Sequence, residues 1–563
     1  MVSWLSPRTL AISALRVAVS AQLGLNADKR ELIGMVPDRP HPGLPGDMDS
    51  GRKPPDEVWF DYAADTGDGF DSTYSIASLL AAPALKLAAP DGTRELPRGR
   101  LLVLGGDEVY PYASMKAYTD RFIGPFSAAL PETAQDERDA PLMLALPGNH
   151  DWYDGLTSFM RIFGQGGRIG NWRTFQKRSY FAVRLTRRWV LWAVDTQLDS
   201  YIDYPQLTYF KAAAEELNDG DGLIVCTSRP EWVIGAKAGR EESYRTVDYL
   251  RRTVIRPSKA TVRLWISGDE HHYARYEGID GADPVQWITC GGAGAFTSAT
   301  HDLPHDLTVP PARSVDPSKS IPPVSARFRC AYPSQRESAH LRRAFWHVPV
   351  RNWTLGPVFS CAAILMSWPL LTRGASSSIS EQLDTAVHSP GVWLCSILLL
   401  AAFVTLVGAT GPRWQRLIGV AHAIAQIAAM LAAACVAAWP VGNASLDSGW
   451  GFGARSVAIV AVSAGVLCLG VLAVYFAAAD SVGVNTSEFF SGLACRRFKS
   501  FLRIHIDGEN LTVYPIGLAA QGRNWRLADD PNGPWLAPQH ALQPHLIEAP
   551  ITIRAVPSFG GRT

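Results

Sequence analysis

Residues Leu142-Met143-Leu144-Ala145-Leu146-Pro147-Gly148-Asn149-His150-Asp151 decide how this chain reads. Five apolar residues are the length of a buried strand, and Pro147 and Gly148 end it. An amide, an imidazole and a carboxylate then follow in succession. The same pattern recurs along the chain. Residues 58–64 run into Asp65-Thr66-Gly67-Asp68, residues 101–104 into Gly105-Gly106-Asp107-Glu108-Val109-Tyr110, and residues 262–266 into Ser267-Gly268-Asp269-Glu270-His271-His272-Tyr273. Further strand-length apolar runs occupy 189–194, 223–226 and 285–289, with helical patterns over 114–130 and 205–218 between them. Strands alternating with helices predict layered α/β packing. Such sheets bind ligands beyond the carboxyl ends of their strands. Four strands delivering Asp, Asn, His and Tyr to one rim therefore predict a metal cage of oxygen and nitrogen donors, a set that suits Mn, Fe or Zn.

The bulk composition hides a division. Over 563 residues the chain is 47% hydrophobic and 19% charged, with a net charge of +1, and no basic stripe points to a nucleic-acid partner. None of its eight cysteines forms a C-x-x-C pair, so neither a disulfide framework nor a zinc-thiolate site is indicated. Charged residues concentrate in 1–350, whereas 354–479 holds very few. Four uncharged apolar stretches lie there, 355–372, 392–410, 417–441 and 457–479, each close to the roughly 20 residues that cross a hydrocarbon core. Arg342, Arg343 and Arg351 precede the first, Arg413 and Arg416 separate the second and third, and Arg496, Arg497, Lys499 and Arg503 follow the fourth. That bias predicts an integral, multi-pass protein in contact with membrane lipid, both long soluble parts being cytoplasmic. Only His422 and Gln426 bring polarity into the spans, which is little for a transport pathway.

At the N-terminus, 1–24 is interrupted by Arg8 and Arg16 and reads as an amphipathic helix rather than a secretory signal. Residues 37–56 are Pro- and Gly-rich loop, and 304–325 turns Pro- and Ser-rich, marking an insertion or a boundary. Residues 501–506 and 511–516 alternate about Asp507-Gly508-Glu509-Asn510, a hairpin signal. The division expected is thus an N-terminal helix and linker (1–54), an α/β domain (55–303), a linker (304–350), a bundle of four transmembrane helices (354–480) and a small C-terminal β-containing extension (485–563).

The order D-x-G, G-D-x-x-Y, G-N-H-D and G-x-x-H-x-Y-x-R over residues 55–300 resembles the calcineurin-like metallophosphoesterases, nearest the purple acid phosphatase variant. The resemblance implies a layered α/β/β/α sandwich and a metal-dependent phosphoric ester hydrolase using a metal-activated hydroxide. It implies a first metal held by Asp65, Asp107, Tyr110 and His271. A second would be held by Asp107 as bridge, Asn149 and Asp269, with His150 beside the leaving group. Asp61 and Asp68 are rivals to Asp65, and His272 to His271. Two departures weaken the second site. Asp269 stands where the family has His, and Thr227-Ser228-Arg229-Pro230 offers no imidazole where the family has a ligand. Arg229 is instead a candidate clamp for phosphate oxygens. The expected substrate is a phosphorylated small molecule or a lipid-linked phosphate. The alternative is a non-catalytic membrane sensor or scaffold that binds a phosphorylated ligand at a degenerate site.

Overall fold

The computed structural model describes residues 1–26, 39–45, 47, 54–89, 92–132, 140–196, 202–236, 241–280, 283–310, 323–372, 379–406, 414–438, 450–530 and 533–555. The chain divides into two compact units. One comprises Met1–Val2, Ser13–Arg336 and Cys495–Thr563, the other Ser3–Ile12 and Glu337–Ala494.

The first unit is built on two mixed sheets. In one, Glu57–Ala63, Leu101–Leu104, Leu142–Ala145 and Trp172–Thr174 run parallel side by side. In the other, Trp189–Val194, Gly222–Thr227, Thr261–Ser267 and Asp283–Cys290 do the same. Leu101–Leu104, Leu142–Ala145 and Gly222–Thr227 are buried at every residue, as expected of parallel strands covered on both faces. Alternation assigns the faces. Ala63, Leu102, Leu104, Met143 and Ala145 pack with the helix Phe70–Ala81 in one outer core. Trp192, Leu223, Val225, Trp265 and Trp287 pack with Tyr204–Glu215 in the other. The intervening Phe60, Tyr62, Val103, Ile224, Leu264 and Ile266 are equally buried but belong to neither, and fill the space between the sheets. Cys290 and Ser500 touch across it, 3.7 Å apart.

Two boundaries differ from the sequence expectation. The segment expected as a linker from 304 carries the strands Asp306–Val309 and Val324–Tyr332, which extend the second sheet. Residues 311–322, outside the described set, break the sequence pattern there. The C-terminal hairpin does form, Lys499–Asp507 against Asn510–Leu518, with Gly508 at φ +60° in its two-residue turn. It is no separate extension, because Lys499–Asp507 pairs antiparallel with Glu57–Ala63 and completes the first sheet. An isolated hairpin is marginal in water, and without it Glu57–Ala63 would be a bare edge.

The junction carries a buried ion pair. Arg503 donates from Nε to Asp61 Oδ1 at 2.7 Å and from Nη2 to Oδ2 at 3.1 Å, directly across the strand register. Its remaining Nη1 donates to the Leu96 carbonyl, and the Gly99 amide donates to Asp61. This pairing accounts for Asp61.

In the second unit, the helices Gly356–Thr372, Pro390–Leu406, Gln415–Ala438 and Trp450–Asp480 pack together. Two of them, over Gln415–Ala437 and Ala454–Asp480, are long and apolar enough to cross a membrane. The other two helices contain 17 residues each, a rise of about 26 Å against a core of about 30 Å. Among the described residues, two of the four expected spans are thus long enough to cross, residues 373–378, 407–413 and 439–449 lying outside the described set.

Removing one partner of the buried pair strands the other charge, at a cost of about 3–5 kcal/mol. Asp61→Asn and Arg503→Met are each expected to lower the thermal midpoint of the full chain sharply. The double substitution should recover part of the loss, measured by fluorescence-monitored melting in detergent.

Candidate metal centre

Four loops converge at the carboxyl ends of Glu57–Ala63, Leu101–Leu104, Leu142–Ala145 and Thr261–Ser267. Asp65, Asp107 and Asp269 all have left-handed backbones, with φ of 62°, 54° and 69°. That conformation costs an L-residue about 1–2 kcal/mol, although Asp tolerates it better than most. The loops are laced to one another. The Asp65 amide donates to the Gly106 carbonyl at 2.9 Å and the Thr66 amide to that of Asp107 at 3.0 Å. Gly148 lies so close that a Cβ there would stand 2.1 Å from Asp107 Oδ1, which explains the glycine.

Tyr110 is the hub. Its hydroxyl lies 2.7 Å from Asp65 Oδ1, 3.3 Å from Asp107 Oδ2 and 3.0 Å from His271 Nε2. His271 Nε2 is 3.7 Å from Asp65 Oδ1. Asp65, Asp107, Tyr110 and His271 are thus gathered around one point, and all four are buried. Asp269 donates its amide to Asp65 Oδ2 at 2.9 Å. His150 donates its amide to Asp107 Oδ1 at 2.8 Å, and its ring packs 4.5 Å from that of Tyr110. Asn149 Nδ2 donates to Tyr153 at 3.1 Å, while its Oδ1 is buried without a hydrogen-bond partner among the described residues. Arg229 donates from Nε to the buried Glu231 at 2.7 Å. Asp68 accepts the amides of Val2 and Phe296 instead. Trp152 is buried and donates to Asp195 at 3.3 Å, a packing role.

The electrostatics are those of acids crowded out of water. Burial first, then neighbouring carboxylates, hold Asp65 and Asp107 well above the usual carboxylate range. Asp269 raises Asp65; Asp151, Asp65 and Asp269 raise Asp107. Glu108 is raised likewise by burial and Asp151. Tyr110 is raised by burial and then by Asp107 and Asp65, which keeps its phenol protonated. Burial lowers His150 to about 4. Its Nδ1 lies 2.6 Å from the Pro111 carbonyl. A carbonyl only accepts, so Nδ1 carries the proton in the neutral ring.

Several contributors lie outside the expected ligand set. Asp151 Oδ2 accepts the amides of Asp107 and Gly148, each at 2.8 Å, and Oδ1 accepts the Tyr118 hydroxyl, so it clamps two loops together. Lys499 is fully buried and donates to the Ala295 carbonyl, while the Ala295 amide donates to that of Asp65. Burial lowers this lysine to about 8, against the opposing pull of Asp68 and Asp65. Tyr273 and Arg275 of the motif do not enter the centre. Both bind Glu548, Tyr273 at 2.6 Å and Arg275 at 2.9 and 2.7 Å. Acids at the ends of apolar strands are visible in sequence, but partners from the distant C-terminal segment carry no local signal.

Among the described residues, no three His, Cys, Asp or Glu side chains form a metal-holding group by themselves. The candidate set needs the Tyr110 phenol to link it. Its donor separations of 2.7 to 3.7 Å bracket the about 3 Å between adjacent ligands of a cation bound at about 2.1 Å. The donors therefore fit a hard or intermediate cation.

No protein-family model matches the chain, and no curated protein does. Among solved structures, the chain is similar to one titled "Structure of PhoD", with 11% identity and a TM-score of 0.29, covering 53% of this chain and 72% of that one.

Proposed function

We propose that the chain is a membrane-anchored, metal-dependent phosphoric ester hydrolase acting on a phosphomonoester or phosphodiester. The observation that carries this reading is the convergence of Asp65, Asp107, Tyr110 and His271 about one point, with His150 alongside. A divalent or trivalent cation held there would supply Lewis-acid polarisation of a phosphoryl oxygen and would lower the pKa of bound water.

The chain's own groups do the rest. Asp107 spans two positions, with Oδ2 toward Tyr110 and Oδ1 fixed by the His150 amide. Asn149 and Asp269 are the remaining donors for a second, weaker cation, a mixed oxygen set that favours Mn, Mg or Fe. The Pro111 carbonyl fixes the tautomer of His150, and an approaching phosphoryl anion would raise its pKa and let it protonate a leaving oxygen. Arg229, braced by Glu231, is proposed to hold phosphate oxygens. A non-catalytic phosphate sensor is the second reading, favoured by the acid at 269 and the absence of an imidazole at 227–230.

Membrane placement rests on the outer surface of the apolar helices. Only 39% of the apolar stretch of each of these two helices is buried, unlike a soluble core helix. Leu365, Leu398, Leu417, Val462 and Val466 are each more than 60% exposed. Apolar exposure on that scale needs lipid or a partner. We propose all four helices as a multi-pass anchor, with the metal centre and the C-terminal strands cytoplasmic.

The full chain in detergent is expected to cleave an aryl phosphate with added Mn or Fe. Asp107→Ala should abolish this, and His150→Ala should lower kcat by about 10²–10⁴-fold. Inactivity of the folded wild type with every metal, together with calorimetric binding of phosphate, would favour the sensor. A second expectation follows from the raised acids. Their protonated forms stabilise the fold fully below about pH 4, and the contribution is lost as pH rises through the raised values. Cation-free protein should therefore melt at lower temperature at pH 8 than at pH 5. Mn should restore the midpoint, by more at pH 8. A midpoint indifferent to Mn at both pH values would contradict it.

A further inference from the structure

We propose that the helical unit carries a binding site for an anionic phosphodiester, the headgroup of a phospholipid. The site is a cavity of about 340 Å³ lined by Ala339, His340, Arg342, Arg343, Phe345 and Ala477. This inference rests on the membrane placement proposed above, but not on the hydrolase reading.

The cavity joins two kinds of surface. Its basic side chains come from the short helical segments Gln335–Leu341 and Arg342–Trp346. Ala477 lies in the last turn of Trp450–Asp480, a helix apolar enough to span a bilayer. The guanidinium groups therefore stand where the apolar run ends, at the level a headgroup occupies. Around them Trp346 is 63% exposed, Val350 72% and Trp353 65%. Exposed tryptophan beside arginine at a helix end is the composition of a membrane–water interface. Val474, about one turn before Ala477 on the same helix, is 54% exposed and would carry the acyl chain.

The charge of the cavity selects the ligand. Arg342 Nε lies 3.7 Å from Oδ2 of the buried Asp480 and 3.4 Å from the Ala339 carbonyl, so one guanidinium is partly neutralised. Arg343, on the exposed side, adds a second positive charge, and His340 lines the same wall. Arginine forks match phosphate oxygens in shape and charge. A zwitterionic headgroup would bring its own ammonium against them, whereas a phosphoglycerol headgroup brings only the anion. Basic pockets at the ends of membrane helices recognise anionic lipid on these grounds.

The test uses the full chain in phosphatidylcholine nanodiscs containing brominated phosphatidylglycerol or brominated phosphatidylcholine. Quenching at the cavity is the difference between the wild type and Trp346→Phe. Brominated phosphatidylglycerol is expected to half-saturate this quenching at about fivefold lower mole fraction than brominated phosphatidylcholine, the effect of one basic residue at an anionic surface. Arg343→Gln, at an exposed position, should erase the preference, and Arg343→Lys should keep most of it. Equal quenching by the two lipids, or a preference untouched by Arg343→Gln, would overturn the proposal. Relief of the quenching by millimolar inorganic phosphate would also overturn it, and would reassign the cavity to a free anion. A chain that fails to enter neutral nanodiscs would remove the membrane placement and this inference together, leaving the hydrolase reading intact.

Discussion

Asp65, Asp107, Glu108 and Asp151 lie within a few loops of one another, and none is more than 2% exposed. Four acids so placed repel one another in a medium that screens poorly. Much of the surrounding structure answers that repulsion. Asp151 receives the amides of Asp107 and Gly148 and the Tyr118 hydroxyl. Asp65 receives the Tyr110 hydroxyl and the Asp269 amide, and Asp107 receives the amide of His150. The left-handed turns at Asp65, Asp107 and Asp269 direct this arrangement at a conformational cost that packing alone does not require. Hydrogen bonds leave the carboxyls strongly raised, so protons or a cation must complete the balance.

The same centre explains why the chain returns after its apolar helices. Lys499 and Ser500 open the strand that completes the first sheet, and both hold the loop behind Asp65. Lys499 donates to the Ala295 carbonyl, and the Ser500 amide donates to that of Gly292 at 3.0 Å. Four residues further on, Arg503 and Asp61 fix the register of this strand with a buried pair. Glu548 then ties Tyr273 and Arg275 to the tail. The C-terminal segment is thus structural backing for the centre, and its covalent link to the helical unit sets the two in one polypeptide path.

Legibility in the sequence follows the range of the interaction. Asp65, Asp107, Asn149 and His271 stand just past strands that betray themselves by short apolar runs, so their meeting at one rim could be anticipated. Lys499, Arg503 and Glu548 could not, because their partners lie 204, 442 and 275 residues away and no periodicity announces them. The hairpin about Gly508 was readable from its alternation, but its docking on Glu57–Ala63 was not. Val324–Tyr332 was obscured by the Pro- and Ser-rich stretch before it. The two shorter apolar helices show the limit of composition, since an uncharged run does not fix where a helix begins and ends.

We propose that Asp65, Asp107, Tyr110 and His271 share one cation. Anomalous diffraction from crystals of the full chain grown with Mn measures it most directly. A peak is expected within coordinating distance of all four side chains, lost in Asp107→Ala crystals. A peak elsewhere, or none at saturating Mn with these side chains still hydrogen-bonded through Tyr110, would contradict it.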